Sequence, residues 1–364
     1  MKLLKDLNVS GKRVFVRVDF NVPIRKGRVL DDTRIRAALP TIKYLLEKKA
    51  TVILASHLGR PQGKDSSFSL YPVAYMLDRL LKQKVVFVDN YDSWPKEKAS
   101  VFLLENLRFY PEEEANDSKF AKKLASFADC YVDDAFGACH RAHASIVGVP
   151  ELLPHAAGLL LEKEVNMLSL DNPKRPFVGI LGGAKVSDKI KIIESLLKKV
   201  DILLVGGAMA NTFWAVHGEV GRSLYEKENL AVAEKLLKTR KIVLPDDFVL
   251  DNGKISKSIP KERSAMDIGP NTVKIFACVL ERAKTVFWNG PMGMFEEKKF
   301  AKGTFDVAKC ISKLHAVTIV GGGDSVAAIN EIGLSDKFTH ISTGGGAALE
   351  FIENPNLPGL VALK

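Results

Sequence analysis

Apolar runs of four or five residues alternate with amphipathic stretches of helical period along almost the whole chain. In the first half the runs at 14–18, 52–55, 85–88, 101–104 and 130–132 predict strands. Between them Ile35, Leu39, Ile42 and Leu46, then Val73, Leu77 and Leu80, then Phe120, Leu124 and Phe127 fall on helix faces. Pro40 predicts a kink or a late start for the first of these helices. In the second half strands are predicted at 178–181, 202–205, 286–288, 317–320 and 340–343. A helix face runs through Val186, Ile190, Ile193, Leu197 and Val200. Strand and helix in alternation predict an α/β architecture with parallel sheets. Near mid-chain the pattern changes: Pro150 and Pro154 precede one long helical stretch at 156–170, which Asn172-Pro173-Lys174-Arg175-Pro176 ends. A helix bounded by proline-rich turns is a candidate connection between two domains.

Ligands of open α/β sheets gather beyond the carboxyl ends of the strands, so the residues following each run carry the chemistry. In the first half these are Asp19-Phe20-Asn21 with Arg34 and Arg36 downstream, Ser56-His57-Leu58-Gly59-Arg60, Glu105-Asn106-Leu107-Arg108, and Asp133-Asp134 followed by Cys139-His140-Arg141-Ala142-His143. Arginine is suited to bidentate recognition of phosphate and carboxylate, and its recurrence along one sheet edge predicts a polyanion. His140 and His143 lack the i, i+4 spacing of a zinc helix, and no third ligand accompanies them.

In the second half the strand ends carry glycine instead: Gly182-Gly183-Ala184, Gly206-Gly207-Ala208, Asn289-Gly290-Pro291, Gly321-Gly322-Gly323-Asp324 and Gly344-Gly345-Gly346. Glycine permits close backbone approach to phosphates, and Lys185 and Lys189 add charge at the first of these turns. That turn matches neither G-x-x-x-x-G-K-[ST] nor G-x-G-x-x-G, so alone it reads equally as a phosphate turn or as an ordinary βα loop. Asp324 is a natural ligand for a phosphate-bound Mg²⁺.

Composition narrows the field. At 364 residues, 46% hydrophobic and 26% charged, the chain predicts a soluble globular protein of about two domains. No run approaches the ~18 apolar residues of a membrane helix. The start, Met1-Lys2-Leu3-Leu4-Lys5-Asp6, does not look like a signal peptide. Cys130, Cys139, Cys278 and Cys310 form no C-x-x-C pair and suggest reduced cytosolic thiols. The net charge of +10 comes largely from lysine doublets at the ends of helical patterns, a solvated basic surface rather than a nucleic-acid footprint.

One half offering arginines to a small polyanion and another offering glycine turns, lysines and a carboxylate to a metal–nucleotide together predict phosphoryl transfer. That reaction needs positioning and charge neutralisation more than a nucleophilic side chain. No Ser-His-Asp set or paired acidic motif argues for hydrolysis.

The motifs Arg17-Val18-Asp19-Phe20-Asn21-Val22-Pro23, Ser56-His57-Leu58-Gly59-Arg60-Pro61, Glu105-Asn106-Leu107-Arg108-Phe109, His140-Arg141-Ala142-His143, LGGAKVSDK ending at Lys189, Trp288-Asn289-Gly290-Pro291, Gly321 to Asp324 and STGGGA from Ser342 resemble the phosphoglycerate kinase family, in order over essentially the whole chain. The resemblance implies reversible transfer between 1,3-bisphosphoglycerate with MgADP and 3-phosphoglycerate with MgATP, direct and in line after hinge closure, in glycolysis or gluconeogenesis. It implies that Asp19, Asn21, Arg34, His57, Arg60, Arg108 and Arg141 hold the glycerate. Gly183, Ala184, Lys185, Lys189, Gly207, Asn289, Pro291, Glu296, Gly322, Gly323, Asp324 and Ser325 would hold the nucleotide, with Asp324 on the Mg²⁺. Arg34 and Lys185 would stabilise the moving phosphoryl group. The implied fold is two Rossmann-like lobes, 1–155 with 349–364 and 172–348, joined by a long helix over 156–171. A cytoplasmic monomer without nucleic-acid or membrane partners is implied too. Departures from the family pattern are Ser325 for threonine, Asp133 for asparagine, Cys139 for alanine, and shortening at 89–100 and 250–265. The rival reading is a protein that binds nucleotides or phosphometabolites without turnover.

Overall fold

The computed structural model describes the chain from Met1 to Lys364, Asp188 excepted. It divides into two units, Met1–Asn166 with Asn354–Lys364, and Met167–Glu353.

The first unit holds a six-stranded sheet built from β1 (Arg13–Arg17), β4 (Thr51–Ala55), β5 (Val85–Val88), β6 (Val101–Leu104), β7 (Cys130–Asp133) and β8 (His155–Ala157), in the order β5-β6-β4-β1-β7-β8. Every pairing in it is parallel. A small hairpin, β2 (Ile24–Arg25) and β3 (Arg28–Val29), stands apart from it. The strands after β1 fill one side of the sheet before β7 and β8 take the other, so the switch point lies between β1 and β7. Helices α1 (Thr33–Glu47) and α2 (Tyr71–Leu81) pack Ile35, Ile42, Val73 and Leu77 onto Val14, Val16, Val52 and Leu54. Each such side chain, fully withdrawn from water, contributes roughly 1.5–3 kcal/mol. Helix α1 does not start late: it begins at Thr33 and runs through Pro40. Short helices α3 (Pro111–Glu114) and α4 (Ser118–Ala125) precede β7.

The helix expected over 156–171 is shorter than its apolar pattern. His155–Ala157 extend the sheet as edge strand β8, and α5 spans Leu159–Leu168 only. Asp134, the residue after β7, caps the start of the helix: its Oδ1 accepts from the amides of Leu160 (2.9 Å) and Leu161 (3.2 Å). A side chain at Gly158 would put Cβ 2.2 Å from that oxygen, so the turn into α5 requires glycine.

In the second unit β9 (Phe177–Leu181), β10 (Ile202–Val205), β11 (Ile242–Val243), β15 (Thr285–Asn289), β16 (Val317–Gly321) and β17 (His340–Ile341) form a second parallel sheet in the order β11-β10-β9-β15-β16-β17. The switch point falls between β9 and β15. A three-stranded antiparallel sheet of β12 (Phe248–Leu250), β13 (Ile255–Ser256) and β14 (Ala265–Ile268) lies within the same unit. Helices α6 (Ile190–Lys199), α7 (Gly207–Trp214), α8 (Leu230–Leu237), α9 (Pro270–Leu280), α10 (Lys302–Ile311), α11 (Gly323–Glu331) and α12 (Gly346–Glu353) complete it. Trp288, Phe276, Val286 and Val320 centre its core.

The returning C-terminal segment begins at Asn354, not near residue 349, because 349–353 belong to α12 of the second unit. Its last helix, α13 (Pro358–Val361), is docked on the first unit by the Gly359 amide, which donates to the Cys139 carbonyl at 2.9 Å.

Candidate active site

Beyond the carboxyl end of β9, β15, β16 and β17 lies a cavity of about 270 Å³ whose lining includes Gly183, Ala184, Lys185, Lys189, Asn289, Pro291, Gly323, Asp324 and Ser325. Helices α11 and α12 both begin at it, with Gly323 and Gly346 in the lining. Their first amides have no intrahelical partner, and at the start of α11 no side chain caps them. Two helix N-termini and two lysines in one cavity make an anion site of phosphate character.

The glycines of the strand ends divide by task. A Cβ at Gly182 would stand 2.0 Å from the Pro291 carbonyl oxygen, and one at Gly207 2.7 Å from the Gly183 nitrogen. Those two allow loop to pack on loop. At Gly323 and Gly346 a Cβ would meet nothing within 4 Å, so these border open space in the cavity. Gly207 is outside the lining, and so is the exposed Glu296.

Lys189 ties the strand ends together. Its Nζ donates to the Gly182 carbonyl (2.8 Å) and to Asn289 Oδ1 (2.7 Å). Asn289 Nδ2 donates onward to the Gly321 carbonyl at 2.8 Å, and Ser325 Oγ accepts from the Gly290 amide at 2.6 Å. The ends of β9, β15 and β16 are therefore stitched into one floor. Asp324, in the first turn of α11, offers an exposed carboxylate to the same cavity. A single hard oxygen ligand suits Mg²⁺ that arrives bound to phosphates and keeps its waters. Among the described residues no cluster of three or more His, Cys, Asp or Glu forms a protein-only metal cage.

In the first unit a second set of groups gathers at the ends of β1, β4, β6 and β7. Arg34 Nη1 donates to both Asp19 oxygens and to the Asn21 carbonyl, each at 3.1 Å. Asn21 Oδ1 accepts from the Gly59 amide (3.0 Å), and the Gly59 carbonyl accepts from Arg108 Nη1 (2.7 Å). Gly59 has φ +62°, and a Cβ there would come within 2.3 Å of the Phe68 ring, so the turn presenting His57 and Arg60 requires glycine. Arg60 is exposed one residue beyond, and Arg141 donates from Nε to His140 Nε2 at 2.8 Å. Arg108 is pushed below the usual arginine range by burial, and Arg17 and Arg141 push the same way against Glu114. His57 and His143 are neutral near pH 7. Burial first, then Arg17, Arg108 and Arg34, holds His57 well below the ordinary range. Burial and Arg108 press His143 down to about 3.

Behind this surface lie groups that the sequence patterns did not single out. Glu113 and Arg17 are buried, and Ser145 lies between them. The available signal was Arg17 itself, a charge inside the apolar run Val14-Phe15-Val16-Arg17-Val18.

A family model for phosphoglycerate kinase matches residues 4–355. The chain belongs to the phosphoglycerate kinase family. It is 52% identical over 385 residues to the phosphoglycerate kinase of Moorella thermoacetica, covering 99% of this chain and 98% of that one. It is 51% identical over 389 residues to the cytosolic phosphoglycerate kinase of Triticum aestivum, covering 99% and 97%. Among solved structures it resembles phosphoglycerate kinase from Coxiella burnetii, with a TM-score of 0.92, 39% identity, and coverage of 100% of this chain and 99% of that one. The enzyme from Pyrococcus horikoshii matches with a TM-score of 0.86, 35% identity, and coverage of 100% and 98%. The two-lobed α/β fold and the kinase class read from the motifs agree with this phosphoglycerate kinase membership.

Proposed function

We propose that the chain catalyses reversible phosphoryl transfer between 1,3-bisphosphoglycerate and ADP, giving 3-phosphoglycerate and ATP, with Mg²⁺ carried on the nucleotide. The observation that supports it best is the cavity of the second unit. Lys185, Lys189, Asp324 and two helix N-termini there suit a metal–polyphosphate, and no histidine or cysteine in the lining suggests covalent chemistry.

In this reading the amides at Gly323 and Gly346 and the Lys189 ammonium take the phosphates, and Ser325 holds the Gly290 turn in place. Asp324 holds Mg²⁺, which neutralises phosphate charge when bound. Asp19, Asn21, His57, Arg60, Arg108 and Arg141 hold the glycerate. Arg34 keeps its Nη1 on Asp19 and Asn21, which fixes the guanidinium while its other edge meets the anion. Arg34 and Lys185 neutralise the phosphoryl group as it moves, the term on which such reactions depend most. Transfer is direct, so no phosphoenzyme forms: exchange of label between ADP and ATP requires 3-phosphoglycerate.

Among the described residues no helix is long and apolar enough to cross a membrane. A cytoplasmic monomer, acting where the wheat relative is named cytosolic, fits this chemistry. Formation of 1,3-bisphosphoglycerate from 3-phosphoglycerate and MgATP, read through a coupled dehydrogenase, tests the proposal. Nucleotide binding without turnover would favour a non-catalytic binder.

A further inference from the structure

Arg17 closes β1 with 1% of its surface exposed, and all three ends of its guanidinium are engaged. Nε donates to Ser145 Oγ at 2.7 Å, Nη1 to the Val18 carbonyl at 2.6 Å, and Nη2 lies 3.3 Å from Nδ1 of His57. A guanidinium carries five N–H donors and no acceptor. Its contact with Nδ1 is attractive only if that nitrogen presents a lone pair, so the proton of the neutral ring sits on Nε2.

Arg17 is itself held from behind. Ser145 Oγ accepts from Arg17 and donates to Glu113 Oε1 at 2.5 Å, and the Ser145 amide donates to Glu113 Oε2 at 3.0 Å. Glu113 is wholly buried; burial raises its pKa, and Arg17 and Ser145 oppose that rise. The run Glu113, Ser145, Arg17, His57 thus leads from α3 to the second residue past the end of β4.

We infer that Arg17 is a positioning residue that locks His57 as the neutral Nε2–H tautomer, giving the glycerate surface a hydrogen-bond donor that adds no charge. The functional half rests on the reading of that surface as the glycerate site; the tautomer does not. The largest electrostatic influences on the ring come from Arg17, Arg108, Arg34 and His143, all of them basic groups. An imidazolium among these guanidiniums would raise their mutual repulsion, whereas a fixed neutral donor serves the anion at any pH from 5 to 8. Burial and Arg17 act on the ring in the same direction.

The test is a two-bond ¹H–¹⁵N correlation spectrum of the full chain labelled in its seven histidines, with His57 assigned by its loss in His57→Gln. The expected pattern is neutral Nε2–H, unchanged from pH 5 to 8 without ligand. An Nδ1–H pattern, or titration near the ordinary 6.5, would overturn the inference. Arg17→Met alone would strand Glu113, so Arg17→Met/Glu113→Gln removes both charges. In that variant His57 should sample both tautomers, titrate higher than in the wild type, and bind 3-phosphoglycerate about tenfold more weakly, whereas Arg17→Lys, which keeps a donor, should retain the Nε2–H pattern. If the double variant does not fold, the wild-type and Arg17→Lys spectra decide. Loss of the tautomer preference with 3-phosphoglycerate affinity within twofold of wild type would overturn the positioning role. Unchanged 3-phosphoglycerate binding by His57→Gln would instead sink the glycerate-site reading and leave the tautomer standing.

Discussion

Replacing Lys189 by methionine separates two tasks that meet in one ammonium. Methionine keeps the length of the chain and loses the charge and the donors. In the free protein this leaves the Gly182 carbonyl and Asn289 Oδ1, now 2.8 and 2.7 Å from Nζ, without their donor. An acceptor stranded away from water costs about 1–3 kcal/mol. Asn289 is 2% exposed, but the Lys189 side of the loop is only half-buried, so the sum falls at roughly 2–4 kcal/mol. For a unit of this size that lowers Tm by about 4–16 °C. Nucleotide affinity suffers separately: a charged hydrogen bond to phosphate, worth about 1.5–3 kcal/mol, corresponds to roughly 10–100-fold in Kd. Differential scanning calorimetry without ligand reads the first effect, and MgATP titration well below Tm reads the second. A variant that melts within 1 °C of wild type would show that the stitch carries no stability. Unchanged Kd would remove Lys189 from the nucleotide site.

Further tests follow from the same geometry. Arg34→Ala should lower kcat by ~10³-fold while leaving MgATP binding within about threefold, the pattern of a charge used in the transition state; kcat within a few-fold of wild type would refute its catalytic role. Asp324→Asn should raise the Mg²⁺ concentration for half-maximal rate by about tenfold with little change in 3-phosphoglycerate KM, and an unchanged Mg²⁺ dependence would take Asp324 off the metal. Burial pushes Asp134 up to about 7, from 3.8 in an unfolded chain, so the native state keeps a proton that the unfolded state releases. That group therefore weakens the fold as pH rises from about 4 to 7. Asp134→Asn keeps an acceptor for the α5 amides, and its stability relative to wild type should rise across that window; a constant difference would contradict the assignment. His143 has the opposite sign: neutral in the fold down to about 3 but protonated below 6.5 when unfolded, it costs stability as pH falls below 6.5. His143→Gln should flatten that acid limb in urea titrations, and an unaltered limb would place the titration elsewhere.

The sheets were legible because parallel strands buried on both faces leave unbroken apolar runs. The runs at 85–88 and 101–104 coincide with β5 and β6, and that at 14–18 falls within one residue of β1. Strand β8 was not legible, since His155-Ala156-Ala157 is only three residues long and its alanines continue the helical pattern of 159–168. Strand-end glycines marked the cavity of the second unit, but sequence alone could not separate Gly323, which borders it, from Gly182 and Gly207, which let one loop pack on another. The Glu113–Ser145–Arg17 network escaped for a related reason. Pro111-Glu112-Glu113-Glu114 reads as a solvated acidic turn, and only the fold shows Glu113 turned inward while Glu114 meets Arg108 at 3.0 Å.

The central claim is turnover. The measurement that tests it most directly is the initial rate of NADH oxidation when the protein is given 3-phosphoglycerate, MgATP and a coupling dehydrogenase. The account predicts a rate that requires both substrates and Mg²⁺ and that falls by ~10³-fold in Arg34→Ala. Saturable MgATP binding with no rate above the uncatalysed background would contradict it.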